Sequence, residues 1–132
     1  MIINVDGRDY RVFVVFKALT RRGELVEGPN SATAQNGKEI RDIIGTAYHY
    51  SLEIEPHPAS RPDYDALFDL LSAPVDSHRV RLPYGQGELS FDAAVSEVED
   101  VYCGESAEKK IWRGMKVSFR PIKPQRPAGG AW

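Results

Sequence analysis

A mainly β domain is what this sequence predicts: an antiparallel β-sandwich or partly open barrel of six to eight strands, with one flanking helix near residues 62–73. Three observations carry that reading. Apolar and polar residues alternate with a period of two in several separate stretches. Only one stretch, residues 63–72, shows helical spacing. Short turn signals, Asp6-Gly7 and Gly85-Gln86-Gly87, stand between alternating runs.

The clearest strand covers residues 47–55. Tyr48, Tyr50, Leu52 and Ile54 point one way, and Ala47, His49, Ser51, Glu53 and Glu55 the other. The prolines at 56, 58 and 62 cannot continue a ladder, because proline lacks an N–H. Helical spacing then takes over: Tyr64, Leu67, Phe68 and Leu71 fall at i, i+3, i+4 and i+7. Pro62 suits a first turn, Asp63 and Asp65 complement the helix dipole, and Pro74 stops the helix.

Taken in order, residues 2–5 form a short strand, and Asp6-Gly7 turns it into a second strand over 8–17. The middle of that strand, Val12 to Phe16, is apolar on both faces. It is therefore expected to be covered on both sides, by the protein's own fold or by another subunit. Residues 19–38 are broken by Gly23, Gly28-Pro29 and Asn36-Gly37 and read as a long loop at 18–38. That loop is an exposed hairpin or an arm that orders against a neighbouring chain. Ile40, Ile43 and Ile44 fit a turn of helix or an extended entry to the central strand equally well. After the helix, residues 77–84 and 88–96 pair as a hairpin across Gly85-Gln86-Gly87. A slip near Glu97-Val98 suggests a bulge or a change of sheet. Residues 100–103 make a short further strand, 104–110 a polar turn, and 111–120 the last strand. The domain thus spans 1–122, and the proline- and glycine-rich segment 123–132 reads as an extended or disordered tail.

Composition narrows the function. The chain has 132 residues, 42% apolar and 27% charged, with a net charge of -2. It lacks the strongly basic face that direct nucleic-acid readout uses. No run of about 18 apolar residues predicts a membrane span. Residues 1–6 lack the basic start and apolar core of a signal peptide, so none is expected. The single cysteine, Cys103, leaves no internal disulfide and no cysteine-cluster metal site. It reads as a buried or edge thiol rather than a nucleophile.

Catalytic patterns are thin, and no enzyme, cofactor or metal is expected. Asp76-Ser77-His78 holds triad residue types, but adjacent residues in an extended segment point apart, and a triad is a matter of geometry. His49, Glu53 and Glu55 share a strand face, with His57 following. Such a face is the ordinary wet side of a sheet more than a ligand set. Residues 84–88 lie between two strands, whereas phosphate-cradling loops run from a strand into a helix. Nothing isolates a pair of acids for glycoside hydrolysis among nineteen carboxylates. The aromatics Tyr48, Tyr50, Tyr64, Phe68, Tyr84 and Phe91 match inward faces and read as core rather than as a sugar or base platform. What remains is surface. Candidate interface residues are Phe13 and Val15 on the two-sided apolar strand, Arg21, Arg22, Arg79, Arg81 and Arg113 as arginines, and Trp112 and Trp132 as aromatic anchors.

Residues 40–54, Ile-Arg-Asp-Ile-Ile-Gly-Thr-Ala-Tyr-His-Tyr-Ser-Leu-Glu-Ile, carry a resemblance that continues through 64–72 and 80–86 to Phe91. Residues 1–16 and 112–126 match more loosely. This pattern resembles small tail-module proteins of siphophages and prophages of Gram-positive bacteria. The resemblance implies a β-sandwich with a flanking helix, like tail-tube, distal-tail and baseplate-hub domains. It also implies a structural role without catalytic residues, in a homo-oligomeric ring that contacts other tail proteins. The chain is shorter than a full distal tail protein, which has a second domain. A virion tail subunit, made in the host bacterial cytoplasm, is the expected role. A small β-module binding carbohydrate or peptide is the main rival, and an enzyme the third reading.

Overall fold

The computed structural model describes residues 1–130 and 132. The element order is β1 Ile2–Val5, β2 Arg8–Val14, β3 Thr20–Glu27, β4 Ala32–Thr33, β5 Glu39–Ile40, β6 Ile43–Pro56, α1 Arg61–Leu71, β7 His78–Tyr84, β8 Gly87–Ala94, β9 Val98–Ser106, β10 Lys109–Pro121 and β11 Arg126–Pro127. The protein is mainly β with one helix, as its alternating runs predict. Strands β6, β2, β1, β7, β8 and β10 pair in that order, and β10 pairs with β6 again, so six strands form a ring. Two seams of the ring are narrow: β1 meets β7 and β8 meets β10 through two residue pairs each. A partly open barrel describes the result.

The inward side chains of the alternating strands fill this barrel. Ile3, Val5, Tyr10, Val12, Tyr50, Leu52, Ile54, Val80, Leu82, Phe91, Met115, Val117 and Phe119 are buried in one cluster. Helix α1 packs on β2 and β6, and Tyr64, Leu67 and Leu71 join the same core. Its span, 61–71, is close to the expected 62–73, with proline in its first turn and Asp63 there as well. The Asp63 carboxylate accepts the Arg11 N–H at 2.9 Å, which fastens the helix start to β2. The turn between β1 and β2 follows from its sequence: Asp6 and Gly7 both have positive φ, +52° and +83°. The Asp6 carboxylate accepts the Arg79 N–H at 2.7 Å and meets His78 Nδ1 at 2.7 Å, tying the turn to β7.

Several expectations are corrected. The run from Val12 to Phe16 is not covered on both sides: β2 ends at Val14, Phe13 is 48% exposed and Phe16 is 86% exposed. Phe13 instead stacks on the His57 ring, centroids 4.6 Å apart. Residues 20–27 are not loop but the eight-residue strand β3, paired with β6 from Ser51 to Ile43. Residues 18 and 19 and the segment between Glu27 and β6 keep a loop character, with the two-residue strands β4 and β5 forming a separate small hairpin. The open choice at Ile40–Ile44 resolves as extended chain, since β5 and the start of β6 include it. Residues 98–121 form one long hairpin, β9–β10, turned at Ala107 and Glu108, both with positive φ. At the slip expected near Glu97-Val98 the strand breaks: β8, paired with β7, ends at Ala94, and β9, paired with β10, starts at Val98.

The segment expected as a tail is extended but docked. Arg126 and Pro127 pair with Thr46 and Gly45, and the Gln125 side chain holds both the N–H and the carbonyl of Tyr48, at 2.8 and 2.9 Å. Ala131, part of that predicted tail, lies outside the described residues. Gly45 is what lets this segment approach, because a Cβ there would overlap the Arg126 carbonyl. Gly45→Ala is expected to push β11 off β6 at a cost of about 1–3 kcal/mol. In amide exchange, the Ala128 N–H, which bonds the Ile44 carbonyl at 3.2 Å, should lose its protection while the barrel amides keep theirs.

Candidate interaction groove

The fourteen residues of β6 outrun the barrel, and so do the thirteen of β10. Where both overlap, Met115 to Phe119 pairs with Ile54 to Tyr50. Beyond Tyr50 toward its start, β6 carries β3 on one edge and β11 on the other. Before Met115, β10 runs on with β9 alone. The two strands are antiparallel, so these extensions leave opposite ends of the barrel as two wings.

A groove of about 920 Å³ lies between α1 and the β9–β10 wing. Pro56, Tyr64, Phe68 and Trp112 supply apolar walls, while Asp65, Asp69 and Asp100 bring carboxylates and Arg61, Lys109 and Lys110 bring cations. Its origin is local. β6 ends at Pro56, the chain bends through His57–Ser60, and α1 begins at Arg61 while β10 continues alongside. Asp65 and Asp69 are four residues apart and share a helix face.

The electrostatics centre on one contact. The buried Tyr64 hydroxyl donates to the Asp100 carboxylate at 3.1 Å. Burial, and then the Asp100 charge, raises the Tyr64 hydroxyl far above its ordinary range, so it stays a donor. Burial likewise raises the Asp100 carboxyl, with Asp65 adding to the effect and the Tyr64 hydrogen bond opposing it. A volume in this range, apolar walls, a few convergent polar groups and shifted ionisations are the usual marks of a binding site.

The opposite wing holds an aromatic cluster. Tyr48 lies 5.1 Å from Tyr84 and 5.6 Å from Trp132, ring centre to ring centre. Arg21 sits over the Tyr84 ring at 4.9 Å and Arg126 over Trp132 at 5.6 Å. The Tyr84 hydroxyl donates to the Tyr48 hydroxyl at 3.2 Å, and that bond, followed by the Arg126 guanidinium, lowers the Tyr48 pKa. Trp132 is thus 59% exposed but anchored inside its own chain.

The predicted interface residues are not brought together. Arg79 pairs with Asp92 at 3.5 Å, and Arg81 bridges Glu88 at 2.9 Å and Asp9 at 3.8 Å, so both are held on the barrel wall. Arg113 pairs with Glu55 at 3.0 Å and Arg22 with Glu24 at 3.7 Å. Val15 lies just past β2, its N–H bonded to the Glu53 carbonyl at 2.9 Å. Phe13 covers His57, and Arg21 belongs to the opposite wing. Trp112 alone lines the groove, beside Tyr102 at 5.0 Å. Sequence reasoning did not find Asp65, Asp69 or Asp100 as a group, because Asp100 lies more than thirty residues along the chain from the two helix carboxylates.

The other motifs are dispersed too. His78 is buried and turns to Asp6 rather than to Asp76 or Ser77. His49 meets Glu24 at 3.2 Å and Glu53 meets Lys116 at 3.9 Å. No group of three or more His, Cys, Asp or Glu side chains among the described residues is placed to hold a metal ion. Cys103 is exposed. No helix is long and apolar enough to cross a membrane among the described residues. Compared with known protein families and with curated proteins, the chain matches no family model and no curated sequence.

The raised Asp100 carboxyl sets a pH dependence. It holds its proton more tightly folded than unfolded, so its contribution is fully present below the ordinary value of 3.8 and is lost as pH rises through the raised folded value. Asp100→Asn keeps an acceptor for Tyr64 and removes the titration. Urea unfolding across that window should show a flatter dependence in the variant, by at most about 1 kcal/mol because Asp100 is only partly covered.

Proposed function

We propose that this chain is a non-enzymatic structural subunit of a phage or prophage tail, at the tail tip, distal tail or tube. It acts through ring-like self-association and contacts with other tail proteins. The resemblance of residues 40–91 to tail modules supports the tail assignment. The observation that carries the assembly part is the pair of unlike wings at opposite ends of the barrel. Each ends in a strand with one unpaired edge among the described residues, β3 and β9. Unpaired edges invite strand addition, and monomeric proteins usually blunt them. Two unlike surfaces at opposite ends are what a head-to-tail contact needs, and head-to-tail contacts close into rings or run on as stacks.

Exposed apolar side chains lie on both wings. Leu25 and Ile44 are 51% and 49% exposed on one, and Val101 and Tyr102 are 61% and 44% exposed on the other. These are ordinary singly, but together with the free edges they mark the wings as the surfaces to join. A second reading, a small module that binds peptide or carbohydrate, is favoured by the groove beside α1.

The ring reading is checked by light scattering on a gel-filtration column across a concentration series, with negative-stain imaging. Leu25→Lys and Val101→Lys, one on each wing, should each reduce the assembled mass to that of a monomer while leaving the far-ultraviolet circular dichroism unchanged. Assemblies that keep their mass in both variants would sink the wing-to-wing contact.

A further inference from the structure

We propose that the groove between α1 and β10 is an acceptor slot for one extended strand of a partner polypeptide, with a basic side chain facing α1. This deepens the assembly reading and rests on it only for the source of the partner.

Strand β10 has two edges. One is occupied along its length, by β9 from Lys109 to Val117 and by β8 at Arg120 and Pro121. The other is occupied by β6 only from Met115 to Phe119. From Lys109 to Arg113 that second edge has no backbone partner among the described residues. The β6–β10 ladder ends at Ile54 and Met115, the Glu55 carboxylate accepts the Gly114 N–H at 3.3 Å, and at Pro56 β6 stops and the chain turns away into α1. A gap is left in the line β6 would have followed, bordered by bare N–H and C=O groups. Such a row is a template for a strand, and added strands gain affinity from main-chain bonds and specificity from alternate side chains.

Five residues of edge at about 3.4 Å each make a slot roughly 17 Å long. Its two walls choose the occupant. Phe68 and Trp112 offer apolar contact, and Trp112 is 40% exposed. On the helix wall, Asp65 and Asp69 form no ion pair among the described residues, and neither does Asp100 across from them. Lys109 and Lys110 belong to β10 itself, and on α1 Arg61 stands one turn before Asp65, so the helix wall keeps one carboxylate in excess. A strand in the slot would place alternate side chains toward α1, and a lysine or arginine there completes the charge.

The geometry favours a partner's segment over a second copy. The longer free edges among the described residues, β3 and β9, are borders of paired sheets, each with its own neighbour strand. A groove walled by a helix takes a lone strand and leaves no room for the strand behind it.

The test uses the full chain and a capped five-residue peptide of alternating valine and lysine, read by amide exchange of the free and peptide-saturated protein. The Lys109–Arg113 amides that face the slot should slow by at least about tenfold, since exchange follows the population of the unpaired state. The same peptide methylated on alternate backbone nitrogens should give no protection, because it lacks the donors. A glutamate-for-lysine peptide should bind at least about tenfold more weakly, as should the wild-type peptide to Asp65→Lys/Asp69→Lys protein. No protection at Lys109–Arg113, or equal binding of the methylated peptide, overturns the slot. Protection of these amides on self-association without peptide overturns the partner and assigns the slot to a second copy. Light scattering on the same samples separates the two ideas. Peptide protection in a strictly monomeric chain supports the slot and counts against the ring. A lack of protection in a chain that assembles sinks the slot and leaves the ring standing.

Discussion

The length of β6 is the constraint on which the rest of the molecule depends. At about 3.3 Å per residue, its fourteen residues reach roughly 46 Å, well beyond what a small six-stranded ring can wrap. Every group along such a strand needs a partner, and the chain supplies partners by folding twice against each edge. Strands β2 and β3 share one edge, interrupted between Val14 and Thr20. Strands β10 and β11 share the other, interrupted between Pro121 and Arg126. The barrel, both wings and the docked terminal segment are therefore consequences of one strand that is longer than the core it crosses.

Periodicity made the buried half of this architecture legible and hid the exposed half. The strands that fill the core, β6, β7, β8 and the end of β10, each present a wet face and a dry face, and alternation finds them. Strand β3 has no buried face: seven of its eight residues are exposed and only Val26 is half-buried. With nothing to alternate, Gly23 looked like a breaker, although it keeps its place in the β3–β6 ladder opposite Tyr48. The apolar run in β2 misled in the other direction. Phe13 and Phe16 carry the signature of a doubly covered strand, yet Phe13 is satisfied by one imidazole ring and Phe16 stands in solvent. Proline and glycine near the end of the chain suggested looseness, but Gln125 outweighs them with two hydrogen bonds to one residue of β6.

The candidate groove was legible in one residue only. Trp112 stood out as an anchor because tryptophan rarely sits idle on a surface, but its surroundings come from α1 and from the end of β6. Such a site depends on where β6 stops, and Pro56 announces that stop without saying what it leaves uncovered. Charge was less informative. Arg79 and Arg81 drew attention as interface arginines, yet each is matched by acids on the neighbouring strands. Exposed pairs of this kind contribute little to stability, typically under about 1 kcal/mol. Their effect is to leave that part of the barrel wall electrically quiet.

The two wings also decide how the molecule carries a load. A pull applied between them, one on the first half of β6 and the other on the first half of β10, runs along the strand axes. It loads the five residue pairs joining Met115–Phe119 to Ile54–Tyr50 in parallel, as a shear, so they must yield together rather than peel one at a time. Strength along this axis comes from the same short ladder that closes the barrel. A tug across the strands would meet instead the two-residue seams at β1–β7 and β8–β10, which open in sequence. The molecule is stiff in tension along one direction and compliant across it.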